Sequence, residues 1–436
     1  MKKIEKLSKA TIAFARDVFG DDFVPLHRPV FEGNERQNLI DCIDSNFVSS
    51  VGARVQEFEE QIADFTGSKH AIAMVNGTAA LHLAIKLAGV KTGDEVISQA
   101  LTFIATCNAI SYAGAKPLFI DVDIDTMGLS PSALKIFLEE NAEKSEAGTY
   151  NKVSGRRISA CVPMHTFGFP CRIAEIAEIC TNWGIALIED SADTLGGTIN
   201  GKSSGYYSDM SITSFYGSHI INCAGNGGAL AINDDKVMEK AKLLRSWGRS
   251  SSLFDERSES IENRFNVRLD GVEYDAKFVF ETVGYNLEGN ELGASFGLVQ
   301  LQKLEQNIKT RQGNFERQCQ FFNKHAQFFS NPEMSSEFDT AWLAFPILIK
   351  KDAPFSRKEF QIYLEERNIQ TRVVFTGNVL RQPMTKNIEK RVIDNGYPNA
   401  DAVMERGVLL PLHHGLSDEM FERFHKTIDE FVYQYS

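Results

Sequence analysis

Short apolar runs alternate with longer segments of helical periodicity between about residues 55 and 235 of the chain. Strands that alternate with helices in this way are typical of βαβ units around a mainly parallel sheet. The pattern therefore predicts an α/β domain. The predicted strands are His70–Val75, Glu95–Ser98, Pro117–Val122, Ser159–Met164 and Ile185–Asp190.

The periodicity changes beyond residue 250. Ser250–Asp275 is polar and has no clear period, so we predict a long loop or insertion there. A long amphipathic helix over residues 300–322, a strand at Ala341–Ile349 and helices around Glu359–Ile369 and from Asp418 predict a smaller C-terminal α+β domain. The boundaries we expect are 1–45 for an N-terminal segment, 46–315 for the large domain and 316–436 for the small domain.

Composition and charge narrow the classes of function. The 436 residues are 43% apolar, which is enough for the cores of two domains. A formal net charge of -12 argues against binding to nucleic acid or to an anionic membrane. The first 20 residues interleave charges with apolar residues, unlike a secretory signal, and the chain has no apolar run long enough to span a membrane. We therefore expect a cytoplasmic protein.

Seven cysteines are spread along the chain without close pairs. Their odd number and wide spacing fit neither a disulfide framework nor a zinc or iron–sulfur ligand set. We therefore expect buried, inert thiols and no metal site. The cysteines are Cys42, Cys107, Cys161, Cys171, Cys180, Cys223 and Cys319.

Residues that directly follow strands are the first candidates for chemistry, because ligands of open α/β sheets bind outside the carboxyl ends of the strands. Gly77 permits close backbone approach, and the amides of Thr78 and Ala79 begin a helix, which suits a phosphate. A turn that only caps the helix would have the same sequence. After a later strand, Asp190, with Asp193 close by, could hold the nitrogen of a heterocycle protonated, or could simply cap the strand.

A third candidate lies in the segment SFYGSHIINCAGNGGAL, in which Ser214 and His219 precede a glycine-rich turn. A single histidine is more often a hydrogen-bonded structural residue than a catalyst. The interpretation of His219 therefore depends on the segments around it.

Those segments occur in the order and approximate spacing of the DegT/StrS-type sugar-nucleotide aminotransferase family, which the chain resembles over nearly its whole length. The resemblance implies the aspartate-aminotransferase fold (fold type I), with a central, mainly parallel seven-stranded sheet flanked by helices. It also implies pyridoxal 5′-phosphate or pyridoxamine 5′-phosphate as cofactor, and a homodimer with shared active sites. The segments that carry it are VSSVGARVQEFE, NGTAALHLA, TFIATCNAI, VPMHTFGFPC, IEDSADTLG, SFYGSH, GYNLEGNELGASFGLVQL and LPLHHGLSDE.

The resemblance implies which residues would hold the cofactor phosphate. The amides of Thr78 and Ala79, in the turn that Gly77 opens, would bind it together with the hydroxyl group of Ser214. Asn286, in the segment GYN, would reach the phosphate of the neighbouring subunit.

The resemblance also implies which residues would surround the pyridine ring. Phe103 would stack on the ring, Asp190 would pair with its nitrogen, and Asp193 would lie near its face or its phenolic oxygen. His219 departs from the pattern, because aminotransferases of the family have at this position the lysine that binds the cofactor covalently.

A histidine at this position resembles the dehydratase branch of the family, which removes the 3-hydroxyl group of nucleotide-linked 4-keto-6-deoxyhexoses with pyridoxamine phosphate. Imidazole, with an ordinary pKa of about 6.5, accepts a proton near neutral pH but cannot form the covalent link that lysine forms. Lys202 and Lys236 lie in segments that predict a surface turn and a helix start, so neither replaces the missing lysine. The predicted catalytic residues are therefore His219 and Asp190. The predicted function is 3-dehydration of a nucleotide sugar for deoxysugar or O-antigen lipopolysaccharide synthesis, with L-glutamate regenerating pyridoxamine phosphate.

Two further segments, Ser246–Arg249 and Thr371–Pro383, resemble 3-dehydratases that work with a separate reductase. Arg249, Arg372 and Arg381 are the candidates for binding the nucleotide diphosphate. Relatives of that type hold an iron–sulfur cluster on cysteines after the SWGR segment. This chain has SSSLFDERSE there, so we expect no iron–sulfur cluster and a reaction without a reductase.

Two alternative functions stay open. A nucleotide-sugar aminotransferase fits the resemblance of VSSVG and TFIATCNAI to transaminases that act on amino-sugar precursors. A catalytically silent sensor or structural protein of the same fold would also lack the lysine, although it would not need residues that make a ring an electron sink.

Overall fold

The computed structural model describes residues 23–254, 261–332 and 337–435. The opening segment that we compared with secretory signals lies outside the described residues. The strands are β1 (His70–Met74), β2 (Glu95–Gln99), β3 (Lys116–Ile120), β4 (Ala142–Ser145), β5 (Gly148–Asn151), β6 (Ile158–Val162), β7 (Ala186–Asp190), β8 (Thr198–Ile199), β9 (Lys202–Ser203), β10 (Met210–Ser214), β11 (Gly228–Ile232), β12 (Val267–Leu269), β13 (Val272–Tyr274), β14 (Phe329–Ser330), β15 (Phe338–Asp339), β16 (Phe345–Ile349) and β17 (Gly407–Leu410). The α-helices are Glu35–Ser45, Ala53–Thr66, Gly77–Leu87, Ile104–Tyr112, Pro131–Asn141, Ile173–Trp183, Asp235–Arg245, Ile261–Arg264, Glu291–Gln302, Leu304–Asn323, Arg357–Glu365, Pro398–Arg406 and Asp418–Tyr433.

The central sheet has seven strands in the order β1-β11-β10-β7-β6-β2-β3. β11 runs antiparallel to both of its neighbours, whereas the other neighbouring pairs run parallel. This confirms the mainly parallel seven-stranded sheet. Every residue of β2, β6 and β11 is buried, as expected for strands that are covered on both faces. The parallel strands all direct their carboxyl ends to the same edge of the sheet.

The C-terminal part of the chain has its own antiparallel sheet, in the order β14-β16-β17. The helices Arg357–Glu365 and Asp418–Tyr433 pack on it through an aromatic core that includes Phe345 and Phe360. This confirms the smaller α+β domain. The predicted boundary at residue 315 falls inside the helix Leu304–Asn323, and the domain boundaries themselves remain a prediction.

The segment Ser250–Asp275, predicted as a long loop or insertion, is not entirely a loop. Outside residues 255–260, this segment contains the short helix Ile261–Arg264 and the hairpin of β12 and β13. The two strands are three residues long and mostly exposed, so they lack the buried alternation that a sequence pattern reveals. The predicted helix over residues 300–322 is present for most of its length as Leu304–Asn323, and Lys303 separates it from Glu291–Gln302.

All seven cysteines are free; six are buried, as predicted, and Cys319 is half-buried. Within the described ranges, no group of three or more His, Cys, Asp or Glu side chains is arranged to hold a metal ion. No helix in the described part of the chain is both long enough and apolar enough to cross a membrane.

Candidate active site

Asp190 lies at the carboxyl end of β7, at the edge of the sheet where ligands of α/β proteins bind. Its side chain is buried; Thr106 Oγ1 donates to its Oδ2 at 2.7 Å, and the Ala192 amide donates to its Oδ1 at 3.4 Å. Burial raises the pKa of Asp190 to about 6, while the Thr106 hydrogen bond opposes that rise. A carboxylate in this position would gain from a cationic partner such as a protonated ring nitrogen.

His219 lies in the loop between β10 and β11 and faces Asp193, which lies in the loop after β7. Its Nδ1 is 2.7 Å from Asp193 Oδ1. The two side chains are in close contact but do not form an aligned hydrogen bond, because Nδ1 has no partner of suitable geometry among the described residues. The His219 side chain is 17% exposed, so a ligand can reach the ring. The Asp193 charge would stabilise the imidazolium that forms when His219 accepts a proton.

A close approach of backbone segments brings the turn after β1 against β10 and β11. A Cβ atom at Gly228 would lie 2.4 Å from the carbonyl carbon of Asn76, so this position requires glycine. A Cβ atom at Gly77 would lie 2.9 Å from Ser214 Cβ. The helix Gly77–Leu87 therefore begins directly beside the Ser214 side chain, as the predicted phosphate site requires.

The amides at this helix start differ in their partners. Asn76 Oδ1 caps the helix by accepting a hydrogen bond from the Ala79 amide at 2.8 Å. Nowhere in the described chain is there an acceptor for the amides of Gly77 and Thr78. The turn therefore fits both possibilities raised by the sequence, a helix cap and a phosphate site, since it caps a helix and also leaves two donors for an anion.

Phe103 and Asn286 are exposed. Phe103 immediately precedes the helix Ile104–Tyr112, and half of its surface, 50%, is accessible. An exposed ring at this edge of the sheet can stack on a flat ligand. Asn286 forms an antiparallel bridge with Ser246. Its expected contact is with a second subunit, so its role remains a prediction.

The three predicted arginines differ in how their charges are used. Arg381 donates from Nε and Nη2 to Asp401, each at 2.6 Å, so its charge is already paired. Arg249 stacks on the Trp247 ring at 5.4 Å, and its Nε is buried with no partner among the described residues. Arg372 is exposed, and its charge helps to lower the pKa of His27.

Two basic side chains, His27 and Arg311, interact electrostatically with Asp193 and were not predicted from the sequence. Burial and the charge of Arg311 lower the pKa of His27 to about 4, with smaller influences from Asp193, His219 and Arg372. Four side chains from distant parts of the sequence therefore lie within electrostatic reach of His27.

Arg311 is buried. Burial lowers the pKa of Arg311 to about 10, and the charge of Asp193 opposes that effect. Arg311 Nη1 donates to the carbonyl oxygens of Trp342 and Leu343 at 2.8 and 3.1 Å, and its Nε donates to His414 Nδ1 at 3.2 Å. Its only sequence signal is a position in phase with the buried apolar residues of the helix.

The mainly parallel seven-stranded sheet, with the candidate residues at its carboxyl edge, is the aminotransferase fold. The E. coli GDP-4-keto-6-deoxy-D-mannose-3-dehydratase with bound hydrated PLP superposes with a TM-score of 0.79 at 25% identity, over 93% of this chain and 98% of that chain. An aminotransferase from Psychrobacter cryohalolentis gives a TM-score of 0.80 at 23% identity over 94% and 99% of the two chains, which supports the fold.

Residues 29–429 match the DegT/DnrJ/EryC1/StrS aminotransferase family, and the chain belongs to this family of pyridoxal-phosphate-dependent sugar-nucleotide enzymes. The dTDP-4-dehydro-2,6-dideoxy-D-glucose 3-dehydratase of Saccharopolyspora spinosa is 31% identical over 88% of this chain and 81% of that protein. The lipopolysaccharide biosynthesis protein RfbH of Salmonella typhimurium is 28% identical over 98% and 97%. The GDP-perosamine synthase of Caulobacter vibrioides is 28% identical over 93% and 97%.

Proposed function

We propose that this chain is a lyase, a 3-dehydratase of a nucleotide-linked 4-keto-6-deoxyhexose that depends on pyridoxamine phosphate and pyridoxal phosphate. The observation that carries the proposal is the histidine, His219, which lies 2.7 Å from the carboxylate of Asp193 where aminotransferases of the family have a lysine. Two similar proteins, from Saccharopolyspora spinosa and E. coli, are named as 3-dehydratases of such sugars, which supports the same reaction class here.

The residues at this edge of the sheet fit the proposed cofactor. The turn packed on Ser214 leaves two amides for a phosphate, the half-exposed Phe103 ring suits a flat heterocycle, and the buried Asp190 suits its ring nitrogen. The bound cofactor would supply a conjugated ring that withdraws electrons from the bonds next to its amine. Three buried hydroxyl groups next to site residues in the sequence have no partner in the described chain: Ser191, Thr194 and Thr213.

Asp190 would hold a proton on the ring nitrogen. The hydrogen-bond donors to its carboxylate among the described residues, Thr106 and Ala192, are both neutral, so neither balances its negative charge. A protonated ring nitrogen would provide that balance, and the carboxylate would in turn keep the ring electron-demanding.

His219 would act as the base. Its Nε2 would accept the proton released at the amine-bearing carbon while Nδ1 stays beside Asp193, whose charge stabilises the imidazolium. Because imidazole cannot form the covalent link that lysine forms, this position favours loss of the 3-hydroxyl group over transfer of the amine.

The partners follow from the same proposal. L-glutamate would regenerate the amine form of the cofactor, and a nucleotide-linked 4-keto-6-deoxyhexose would be the sugar substrate. A homodimer with shared active sites would place the exposed Asn286 at the phosphate of its neighbour. The similarity to a lipopolysaccharide biosynthesis protein supports a place in the synthesis of a deoxysugar-containing polysaccharide.

Replacement of the base tests the proposal. His219→Asn should lower dehydration by at least about 100-fold, because it removes the proton acceptor, while cofactor binding persists. The assay is mass spectrometry of products from 4-keto-6-deoxyhexose nucleotides with glutamate, beside an absorbance titration of the cofactor. His70→Asn is the control, since His70 pairs with the exposed Asp235 at the opposite end of β1. Normal turnover by the His219→Asn protein would refute the assignment.

A nucleotide-sugar aminotransferase is the second candidate, because the similar GDP-perosamine synthase bears the name of an amino-sugar product. Borohydride separates the two candidates, since it fixes a covalently linked cofactor to the chain. We expect fixation in His219→Lys and none in the wild-type protein. Fixation of cofactor in the wild-type protein would favour the aminotransferase.

A further inference from the structure

The first described residues form a strap, residues 24–27, that pairs with the small domain. The Val24 amide donates to the carbonyl oxygen of Asn368 at 2.8 Å, and the Gln370 amide donates to the Val24 carbonyl oxygen at 2.9 Å. These hydrogen bonds fix the backbone of the strap. His27 lies at the end of this strap, and the charge of the proposed base, His219, influences its protonation.

Charged and titratable groups from four other segments act on His27. Arg311, Asp193, His219 and Arg372 all influence its protonation, so all lie within electrostatic reach. Asp193 is in turn 2.7 Å from His219. His27 and His219 therefore both interact electrostatically with Asp193.

His27 also has unused hydrogen-bonding capacity. His413 uses both ring nitrogens, since Nε2 donates to the Pro25 carbonyl oxygen at 3.0 Å and Nδ1 accepts from a backbone amide at 3.2 Å. His414 Nδ1 accepts from Arg311 Nε at 3.2 Å. The Nδ1 of His27, in contrast, is buried and has no partner among the described residues. A buried polar atom without a partner requires an explanation, such as a ligand that completes its environment.

The protonation state of His27 indicates what kind of group could hydrogen-bond its unpartnered nitrogen. Burial and Arg311 lower the pKa of His27 to about 4, so the ring is neutral near pH 7. A neutral imidazole has one donor and one acceptor. It therefore pairs well with a hydroxyl group, which can also both donate and accept. Phosphate and carboxylate groups would bind better to the guanidinium of Arg372.

We propose that His27 hydrogen-bonds a hydroxyl group of the hexose and thereby positions the sugar over His219. This inference rests on the proposed function, because it assigns the sugar that the dehydratase would bind. Glutamate has no hydroxyl group, so the contact would serve the sugar reaction and not the regeneration of the cofactor.

The test compares the two half-reactions in His27→Phe and His27→Asn. We expect His27→Phe to lower kcat/KM for the sugar nucleotide by about 10- to 100-fold, because a substrate hydroxyl loses its partner. His27→Asn should lose about two- to tenfold, since an amide both donates and accepts but is shorter than the imidazole ring. With glutamate, the absorbance change from pyridoxal to pyridoxamine phosphate should keep its wild-type rate within about twofold in both variants. His70→Phe, at the opposite end of β1, is the control and should change neither half-reaction.

Three results would overturn the inference. The first is a wild-type kcat/KM for the sugar nucleotide in the His27→Phe protein, and the second is an equal loss in both half-reactions, which would indicate a structural role. The third result applies if the melting temperature shows that His27→Phe does not fold. In that case the inference is overturned if His27→Asn shows no selective loss in the sugar reaction. A wild-type protein that consumes glutamate but converts no sugar nucleotide would instead refute the proposed function itself.

Discussion

At the scale of single residues, the chemistry that we propose depends on the contact of His219 with Asp193 and on the buried carboxylate of Asp190. His219 Nδ1 is 2.7 Å from Asp193, and this pair leaves the other ring nitrogen for a proton from a ligand. Asp190, three residues before Asp193, has only neutral hydrogen-bond donors among the described residues. Its charge is therefore destabilising until a cation binds, which links the stability of the protein to its cofactor.

Asp190→Asn tests that destabilising charge in the cofactor-free protein. An aspartate of the unfolded chain titrates near pH 4, whereas burial raises the pKa of Asp190 to about 6. The folded protein thus binds this proton more tightly, and wild-type stability is lost as the pH rises from about 4 to about 6. At pH 7.5, Asp190→Asn should raise the free energy of unfolding by about 2–3 kcal/mol, and at pH 5 by about half of that. Urea denaturation at the two pH values measures the difference, and an equal gain at both would contradict the electrostatic account.

At the scale of elements, the site depends on how closely β11 approaches the turn after β1. β11 is the antiparallel strand between β1 and β10, and Gly228 opens it. Because Gly228 has no Cβ, the backbone of Asn76 and Gly77 can lie against the strand and present the start of the next helix to a ligand.

Gly228→Ala should therefore damage both stability and cofactor binding. The added Cβ would lie 2.4 Å from a backbone carbon of Asn76, so the turn must shift. We expect a loss of about 1–3 kcal/mol in the free energy of unfolding and a weaker affinity for pyridoxal phosphate.

Gly313→Ala is the matched control. Gly313 is exposed within the helix Leu304–Asn323, and a Cβ there would meet no atom within 4 Å. This substitution should stabilise the protein by about 0.5–1 kcal/mol, because alanine favours the helix, and should leave cofactor affinity unchanged. Denaturant titration and absorbance titration measure both variants, and equal behaviour of the two would contradict a special role for Gly228.

The sequence pattern predicted the five strands that are bordered by clear helical segments, and it missed β10 and β11. Their order in the sheet depends on contacts between distant segments, which local periodicity does not report. The same limit applies to the candidate site. Asp190 and His219 were predicted by position and by resemblance, whereas the contact of His219 with Asp193 depends on two separate loops. Arg311 and His27 were missed because their sequence neighbours reveal nothing of the residues that they meet across the fold.

At the scale of the whole molecule, the surface around Asn286 fits the proposed homodimer. Val283 is 91% exposed, and Phe278 and Phe280 are each 57% exposed. Exposed apolar side chains that cluster on one segment are typical of an interface. If two copies meet there, Asn286 would lie in the contact between them, as its proposed role requires.

Val283→Asp should weaken that association. A charge placed in a contact between copies should raise the dimer dissociation constant by at least about tenfold, and cofactor affinity should fall with it. Tyr433→Asp is the control, because Tyr433 is 82% exposed at the end of the helix Asp418–Tyr433. Analytical ultracentrifugation measures both variants. An unchanged dissociation constant for Val283→Asp would place the interface elsewhere.

The most direct test of the central claim is the mass of the sugar product. Purified wild-type protein is incubated with pyridoxal phosphate, glutamate and a panel of nucleotide-linked 4-keto-6-deoxyhexoses, and the nucleotide sugars are analysed by mass spectrometry. If the base has no covalent link to the cofactor, we expect a keto product that is lighter than its substrate by one oxygen atom. 2-Oxoglutarate and ammonia should form together with it. A product in which an amino group replaces the keto oxygen, with the 3-hydroxyl group intact, would contradict the account.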